Sequence, residues 1–156
     1  MSAIALVAGS VQSAAGGERK RLKASLDGYQ EVPALSVAGT GSFSAKLSGD
    51  GASLSYRLEY SNLTGDASAA HIHLGQKGVA GGVIAFLCGG GGQADCPGAG
   101  GTVTGTIAAD NVVGPADQGI EPGEFDELVA ALQAGATYAN VHTEAFPTGE
   151  IRGQIR

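Results

Sequence analysis

Three histidines, all that the chain contains, carry the strongest chemical signal in the sequence. His71 and His73 flank Ile72 in a segment of strand-like composition, and His142 follows near the C-terminal end. Side chains alternate along a strand, so residues i and i+2 face the same way, roughly 6–7 Å apart. Two imidazoles arranged in this way can bind one metal ion, and we expect His142 to complete the site. The alternative is three unrelated histidines, each hydrogen bonded separately.

The type of ligand narrows the choice of metal. Imidazole suits zinc, copper, nickel and iron. A structural zinc site usually has four Cys and His ligands, and a blue-copper site requires a thiolate. No cysteine stands beside the histidines. Copper is therefore the expected cofactor, and a catalytic zinc ion is the second choice.

Polar residues close to the third histidine are candidates for supporting roles. Asn140 shares a strand face with His142 and is expected to orient a ligand imidazole. Glu150 is a second candidate for such support. Arg152 is a candidate guide for a small anion, if the last two strands place it near His142. The alternative for Glu150 and Arg152 is a structural ion pair near a sheet edge.

The two cysteines predict a disulfide. Cys88 and Cys96 enclose a flexible run of glycines, Gly89–Gly92, which lets the ends of the segment meet easily. In an exported protein this spacing indicates one bridge that closes a surface loop. The alternative is metal ligation by thiolates, although the spacing is not C-x-x-C and no histidine is near.

Short segments with alternating or continuous apolar residues predict about eight β-strands. The segments are Leu22–Leu26, Gly41–Leu47, Leu54–Tyr60, Ala69–Leu74, Val83–Leu87, Thr102–Ile107, Tyr138–His142 and Glu150–Ile155. One segment has helical spacing instead, and it predicts a short helix near Pro122–Ala134. This combination favours an all-β fold, a Greek-key, immunoglobulin-like β-sandwich with one helix in a connection.

Length and composition limit the classes of function. With 156 residues, the chain fits one domain, expected over 18–156. Residues 1–17 are interpreted as the remnant of an export signal or a disordered N-terminus, which indicates a periplasmic or secreted location. No apolar run is long enough to span a membrane. The formal net charge of −6 argues against nucleic acid as a partner, whereas a homo-oligomer or a protein partner is compatible with the sequence.

Three motifs resemble those of the CHRD domain family, which is named after chordin. The motifs are Leu26–Pro33 (LDGYQEVP), Ala70–Gly75 (AHIHLG) and Tyr138–Ile155 (YANVHTEAFPTGEIRGQI). The resemblance implies an extracytoplasmic β-sandwich that stands alone, as in bacterial members. In chordin such domains are repeated within a secreted antagonist of growth factors, so the resemblance also allows a protein interaction module with structural histidines.

The H-x-H pair followed by glycine is also similar, more weakly, to the copper-binding pair of copper/zinc superoxide dismutases. The residues for a bridging zinc site are missing, so the similarity implies at most a copper-only enzyme acting on superoxide or another small oxidant. Three functions follow as hypotheses: a copper-dependent dismutase, a copper-binding or copper-delivery protein without turnover, and the interaction module.

Overall fold

The structure is a computed structural model that describes residues 21–156. The expected leader, residues 1–17, lies outside this range, and the domain boundary at residue 18 stays a prediction. Eight strands and one α-helix form the described part, joined by loops and three single 3-10 turns. Their bounds are β1 Leu22–Asp27, β2 Thr40–Leu47, β3 Leu54–Ser61, β4 Ala67–Leu74, β5 Val83–Cys88, β6 Gly101–Ile107, α1 Phe125–Gln133, β7 Thr137–Thr143 and β8 Ile151–Gln154.

The strands follow the alternation of apolar and polar residues. In β3 every second residue is buried, and the residues between them are exposed, which is the pattern of a sheet with one face on a core. A tight turn joins β2 to β3, and its Gly51 has φ +78°, a conformation that glycine adopts without steric cost. Residues 48–51 therefore form the turn of a β-hairpin between β2 and β3.

All eight strands belong to one antiparallel sheet, in the order β5-β4-β7-β8-β1-β2-β3-β6. The sheet curls into a nearly barrel-like shape, and the Tyr56 hydroxyl on β3 donates to the Leu87 carbonyl on β5 across the interior. Its core contains fully buried side chains such as Leu58, Ile72 and Ile151. The predicted all-β fold of about eight strands with one short helix is confirmed, and the strands form one continuous sheet.

Helix α1 lies within the predicted segment. Phe125, Leu128 and Leu132 bury one stripe of it, and acidic residues occupy its first turn, where they stabilise the helix dipole. The helix stops before Gly135, whose φ of +66° is typical of a C-terminal cap. No helix within residues 21–156 is long and apolar enough to cross a membrane.

The predicted bridge between Cys88 and Cys96 is present. It closes a loop in which each residue of Gly89–Gly92 has a positive φ. Side chains at Gly90 or Gly91 would overlap the ring of Phe86, so the loop packs directly on this ring. The disulfide thus holds a glycine cover over Phe86.

Candidate metal centre

The three histidines lie on two neighbouring strands and on one face of the sheet. In the pairing of β4 with β7, His71 is opposite Asn140, His73 is opposite Tyr138 and His142 is opposite Ala69. Directly opposed residues point to the same side of an antiparallel sheet. The histidines therefore share the outer face, because Ile72, between two of them, belongs to the core.

The rings of the histidines form a compact cluster. Their centroids are 4.7 Å apart for His71 and His142, 5.3 Å for His71 and His73, and 5.7 Å for His73 and His142. One ring nitrogen from each histidine lies within 4.8 Å of the other two. His71 Nδ1 and His142 Nε2 are only 3.0 Å apart. The arrangement predicted from the strand period is thus present.

Backbone carbonyls fix the tautomers of two rings. His73 Nδ1 lies 2.9 Å from the Gly81 carbonyl, and His142 Nδ1 lies 3.0 Å from the Pro147 carbonyl. A carbonyl oxygen only accepts, so both Nδ1 atoms carry the proton and both Nε2 atoms present a lone pair. Metal-bound histidines are usually oriented by a bond of this kind from the second ring nitrogen.

Burial keeps the imidazoles neutral. Exclusion from water, the largest cause, and repulsion from charged His142 and His73 together lower the pKa of His71 to about 3. Burial likewise lowers the pKa of His73 to about 4, against the opposing effect of the Gly81 bond. The pKa of His142 is also lowered by burial. Neutral imidazole is the form that binds metals.

Two ring nitrogens in the cluster have no hydrogen-bond partner among residues 21–156. They are His71 Nε2 and His73 Nε2, and both are buried. A buried acceptor without a partner costs about 1–3 kcal/mol. A metal ion would satisfy such lone pairs, so the donor set fits a metal bound by histidine alone.

Tyr138 and Arg152 support one side of the cluster. The ring of Tyr138 stacks on His73, with centroids 4.8 Å apart and planes 6° from parallel. The Arg152 Cζ atom lies 3.6 Å from the centroid of the same Tyr138 ring. Arg152 also donates to the carbonyls of Gln76 and Val79. Arg152 is 2% exposed and holds the loop after β4 through these two bonds, and its use as an anion guide stays a prediction.

Asn140 contacts an acidic residue from a distant part of the chain. Its Nδ2 donates to Glu31 Oε1 at 2.6 Å and to the Ile151 carbonyl at 2.8 Å. Desolvation raises the pKa of Glu31 to about 7, while the Asn140 bond and the Arg152 charge act in the opposite direction. Both hydrogen bonds from the Asn140 side-chain amide thus go to groups other than a histidine. Its orientation of an imidazole stays a prediction.

Glu150 is fully buried beside the cluster and is not paired with Arg152. Its Oε1 accepts from the Thr64 amide and hydroxyl at 2.7 and 2.9 Å, and its Oε2 accepts from the Thr143 hydroxyl at 2.8 Å. These bonds tie β7 to the loop before β4, next to His142. The structure thus gives Glu150 hydrogen-bond partners in place of the ion pair considered from the sequence.

Several contacts of the site carry no signal in the sequence. Phe86 meets the His71 ring edge to face at 4.4 Å, and its position follows only from the bulged pairing of β4 with β5. The orienting carbonyls of Gly81 and Pro147 belong to loops and leave no trace in residue type. The alternation of β7 predicts that Tyr138 lies on the same face as His142. It does not predict that Tyr138 lies opposite His73, which depends on the register between β4 and β7.

An eight-stranded antiparallel sheet with a cluster of three histidines on its outer face, two of them buried and one half-buried, defines a β-protein with a candidate metal centre. The family model of the CHRD domain matches residues 22–155. The chain belongs to the CHRD domain family. Neither a curated protein nor a solved structure gives a significant match.

Proposed function

We propose that the chain is an extracytoplasmic copper-binding protein that holds one copper ion with His71, His73 and His142. The observation that carries the proposal is the pair of buried, unpartnered nitrogens, His71 Nε2 and His73 Nε2, within a cluster of neutral imidazoles. Both cysteines are joined in a disulfide, so no thiolate competes as a ligand.

Copper is preferred over zinc on the chemistry of the donors. For a given set of nitrogen ligands, divalent copper binds more tightly than the other divalent first-row metals. The disulfide fits an oxidising compartment outside the cytoplasm, and copper is handled mostly there. A catalytic zinc ion in the same three histidines is the second choice.

A copper ion held here would supply one-electron redox chemistry, and superoxide dismutation is the activity that we propose to test first. The residues of the chain would contribute fixed, neutral ligands and a dry surrounding. The competing form of the proposal is binding or delivery without turnover. It is favoured by the burial of His73, which is 7% exposed, and of His142, which is 8% exposed, because dismutation requires access for a small anion.

The test is elemental analysis of protein purified without a tag, followed by copper titration of the parent, His73→Ala and His142→Ala. We expect one copper per chain, paramagnetic resonance coupling to several imidazole nitrogens, and a loss of affinity above about 100-fold in each variant, because even indirect supporting residues account for 10–100-fold. Thr104→Ala, on the exposed face of β6, is the control.

Three outcomes separate the hypotheses. Dismutase activity that disappears in both histidine variants supports the enzyme. Tight binding without activity supports delivery or storage. Variants that bind copper as tightly as the parent, or no stoichiometric metal in any preparation, contradict the copper site and leave the interaction module with structural histidines.

A further inference from the structure

A cavity separate from the histidine cluster lies between helix α1 and the ends of three strands. Its volume is about 630 Å³, within the range of sites that hold small molecules. Its apolar wall comes from the first residue of β1, the last of β2, the first of β3 and the inner side of α1. These residues are Leu22, Leu47, Leu54, Val129 and Leu132.

One side of this cavity is cationic. Lys77 and Arg156 line it, and both also line an adjoining open cavity of about 680 Å³, to which Arg21 and Lys23 contribute. All four side chains belong to exposed residues, and no acidic residue lines either cavity. The chain as a whole has 15 acidic and nine basic residues. The two cavities are therefore a locally positive region of a protein whose net charge is negative.

Neutral polar groups join the two cavities. Gln154 lines both, and its Nε2 donates to the carbonyls of Gly75 and Gly135, each at 2.9 Å. These bonds fix its side chain between the loop that carries Lys77 and the end of α1. Serine hydroxyls from β1 and β2 line the open cavity as well. An oxyanion placed there would meet cations and hydroxyl donors together.

We propose that the joined cavities bind a single-chain amphiphilic anion, with its hydrocarbon tail against the leucines and its head beside Lys77 and Arg156. Apolar burial drives the binding of the tail, and the cations select the charge of the head. A neutral amphiphile would lose the charge contact of the head, and a short hydrophilic anion would lose the apolar burial of the tail. The proposal does not depend on the copper site.

The test is isothermal titration of the full chain with decanoate below its micelle concentration. Octanoate and butyrate test the tail, and decanol tests the head. We expect each added methylene to tighten binding by up to about fourfold. Decanol, which lacks both charge contacts, should bind about 4- to 25-fold more weakly than decanoate, and added salt should weaken decanoate but not decanol.

Variants locate the site. Lys77→Ala and Arg156→Ala should each weaken decanoate binding about two- to fivefold, the usual range for exposed charge pairs, and leave decanol unchanged. Val129→Gln, on the helix wall, should weaken both ligands. Lys46→Ala is the matched control, since it removes an exposed cation from β2 outside both cavities. Circular dichroism checks that each variant is folded.

Vesicles of anionic phospholipid distinguish a membrane surface from a free amphiphile. Saturable decanoate binding that requires Lys77, Arg156 and Val129 supports the proposal. Binding to vesicles without binding to monomeric decanoate overturns it, as do equal affinities for decanoate and decanol, or an unchanged affinity in a Lys77→Ala, Arg156→Ala double variant.

Discussion

The imidazole of His73 and the phenol ring of Tyr138 lie face to face, 4.8 Å between centroids and 6° from parallel. Strands β4 and β8 flank β7 on opposite sides, and Arg152 on β8 lies over the Tyr138 ring, 3.6 Å from its centroid. Arg152 also holds the loop after β4 through the carbonyls of Gln76 and Val79. Gly81 lies further along the same loop, and its carbonyl accepts a hydrogen bond from the His73 ring. These contacts together fix the position of His73, a proposed copper ligand.

Tyr138 should therefore control copper affinity without touching the ion. In Tyr138→Leu, His73 loses its stacking partner and Arg152 loses its cation–π contact, so we expect copper affinity to fall about 10–100-fold. Tyr138→Phe keeps the ring and loses only the hydroxyl bonds to Gly81, so its loss should be smaller. Copper titration against a competing chelator measures both.

Tyr29→Leu is the control for this comparison, because Tyr29 is 70% exposed and remote from the cluster in its contacts. Equal affinities for Tyr138→Leu and the parent would show that the stacked ring is not needed to position His73.

The loop that orients His73 should tolerate no side chain at Gly81. A Cβ atom there would overlap the backbone carbonyl oxygen of Leu74, so Gly81→Ala must displace the loop. We expect a loss of copper affinity together with a lower melting temperature. Gly65→Ala is the matched control, since its Cβ would meet nothing within 4 Å. Normal copper binding by Gly81→Ala would mean that the Gly81 carbonyl is dispensable.

The part of the site that could be predicted from the sequence depends only on the alternation of side chains within a single strand. The alternation of β4 places His71 and His73 together, and a single sequence shows it. The pairing of His73 with Tyr138 depends on the register between β4 and β7, which cross-strand packing decides. The bond from Asn140 to Glu31 joins residues 109 positions apart, and nothing local in either segment indicates it.

The Cys88–Cys96 bridge should contribute to stability and to the cover over the histidines. A loop of this length predicts a loss of about 2–3 kcal/mol in the free energy of unfolding when the bridge is absent. Because the glycine loop packs on Phe86, and Phe86 packs on His71, copper affinity should also fall. Chemical denaturation of a Cys88→Ser, Cys96→Ser double variant measures the first effect, and copper titration the second.

Intact mass before and after reduction and alkylation verifies the bridge in the parent protein. Two thiols that react with the alkylating agent before reduction would contradict it, and an unchanged unfolding midpoint in the double variant would contradict its contribution to stability.

Glu150 should be important for folding rather than for metal binding. Its carboxylate accepts three bonds from Thr64 and Thr143, and an amide in Glu150→Gln would turn a donor toward one of these donors. We expect the free energy of unfolding to fall by about 1–3 kcal/mol, the usual cost of buried polar groups left unpaired. Glu144→Gln, at an exposed position in the neighbouring loop, is the control.

Urea denaturation of both variants measures this difference. A stability of Glu150→Gln equal to that of Glu144→Gln would show that the buried carboxylate is not required. Copper affinity should remain within a few-fold of the parent in folded Glu150→Gln.

Acid should change the stability of the metal-free protein in two opposing ways, through the histidines and through Glu31. Folded His71 and His73 have pKa values of about 3 and 4, below the ordinary 6.5. As pH falls from 6.5 to about 4, the unfolded chain binds protons that the folded chain refuses, so the free energy of unfolding falls. Folded Glu31 has a pKa of about 7, above the ordinary 4.5. Between those values the folded chain binds the extra proton, so Glu31 makes the free energy of unfolding rise as pH falls.

Glu31→Gln separates the two effects, because an amide can still accept the bond from Asn140 but does not titrate. We expect the stability of this variant to fall more steeply than that of the parent between pH 7 and 4.5, the window set by the folded and ordinary pKa values of Glu31. Urea denaturation of chelator-treated protein across this range measures the slopes, with Glu144→Gln as the control. Parallel curves for Glu31→Gln and the parent would show that Glu31 keeps an ordinary pKa when folded.

The low pKa values of His71 and His73 also predict the pH at which protons displace copper. We expect this pH to lie below 6.5, the ordinary histidine pKa, and nearer to about 4. Loss of copper centred at 6.5 would contradict burial of the ligands.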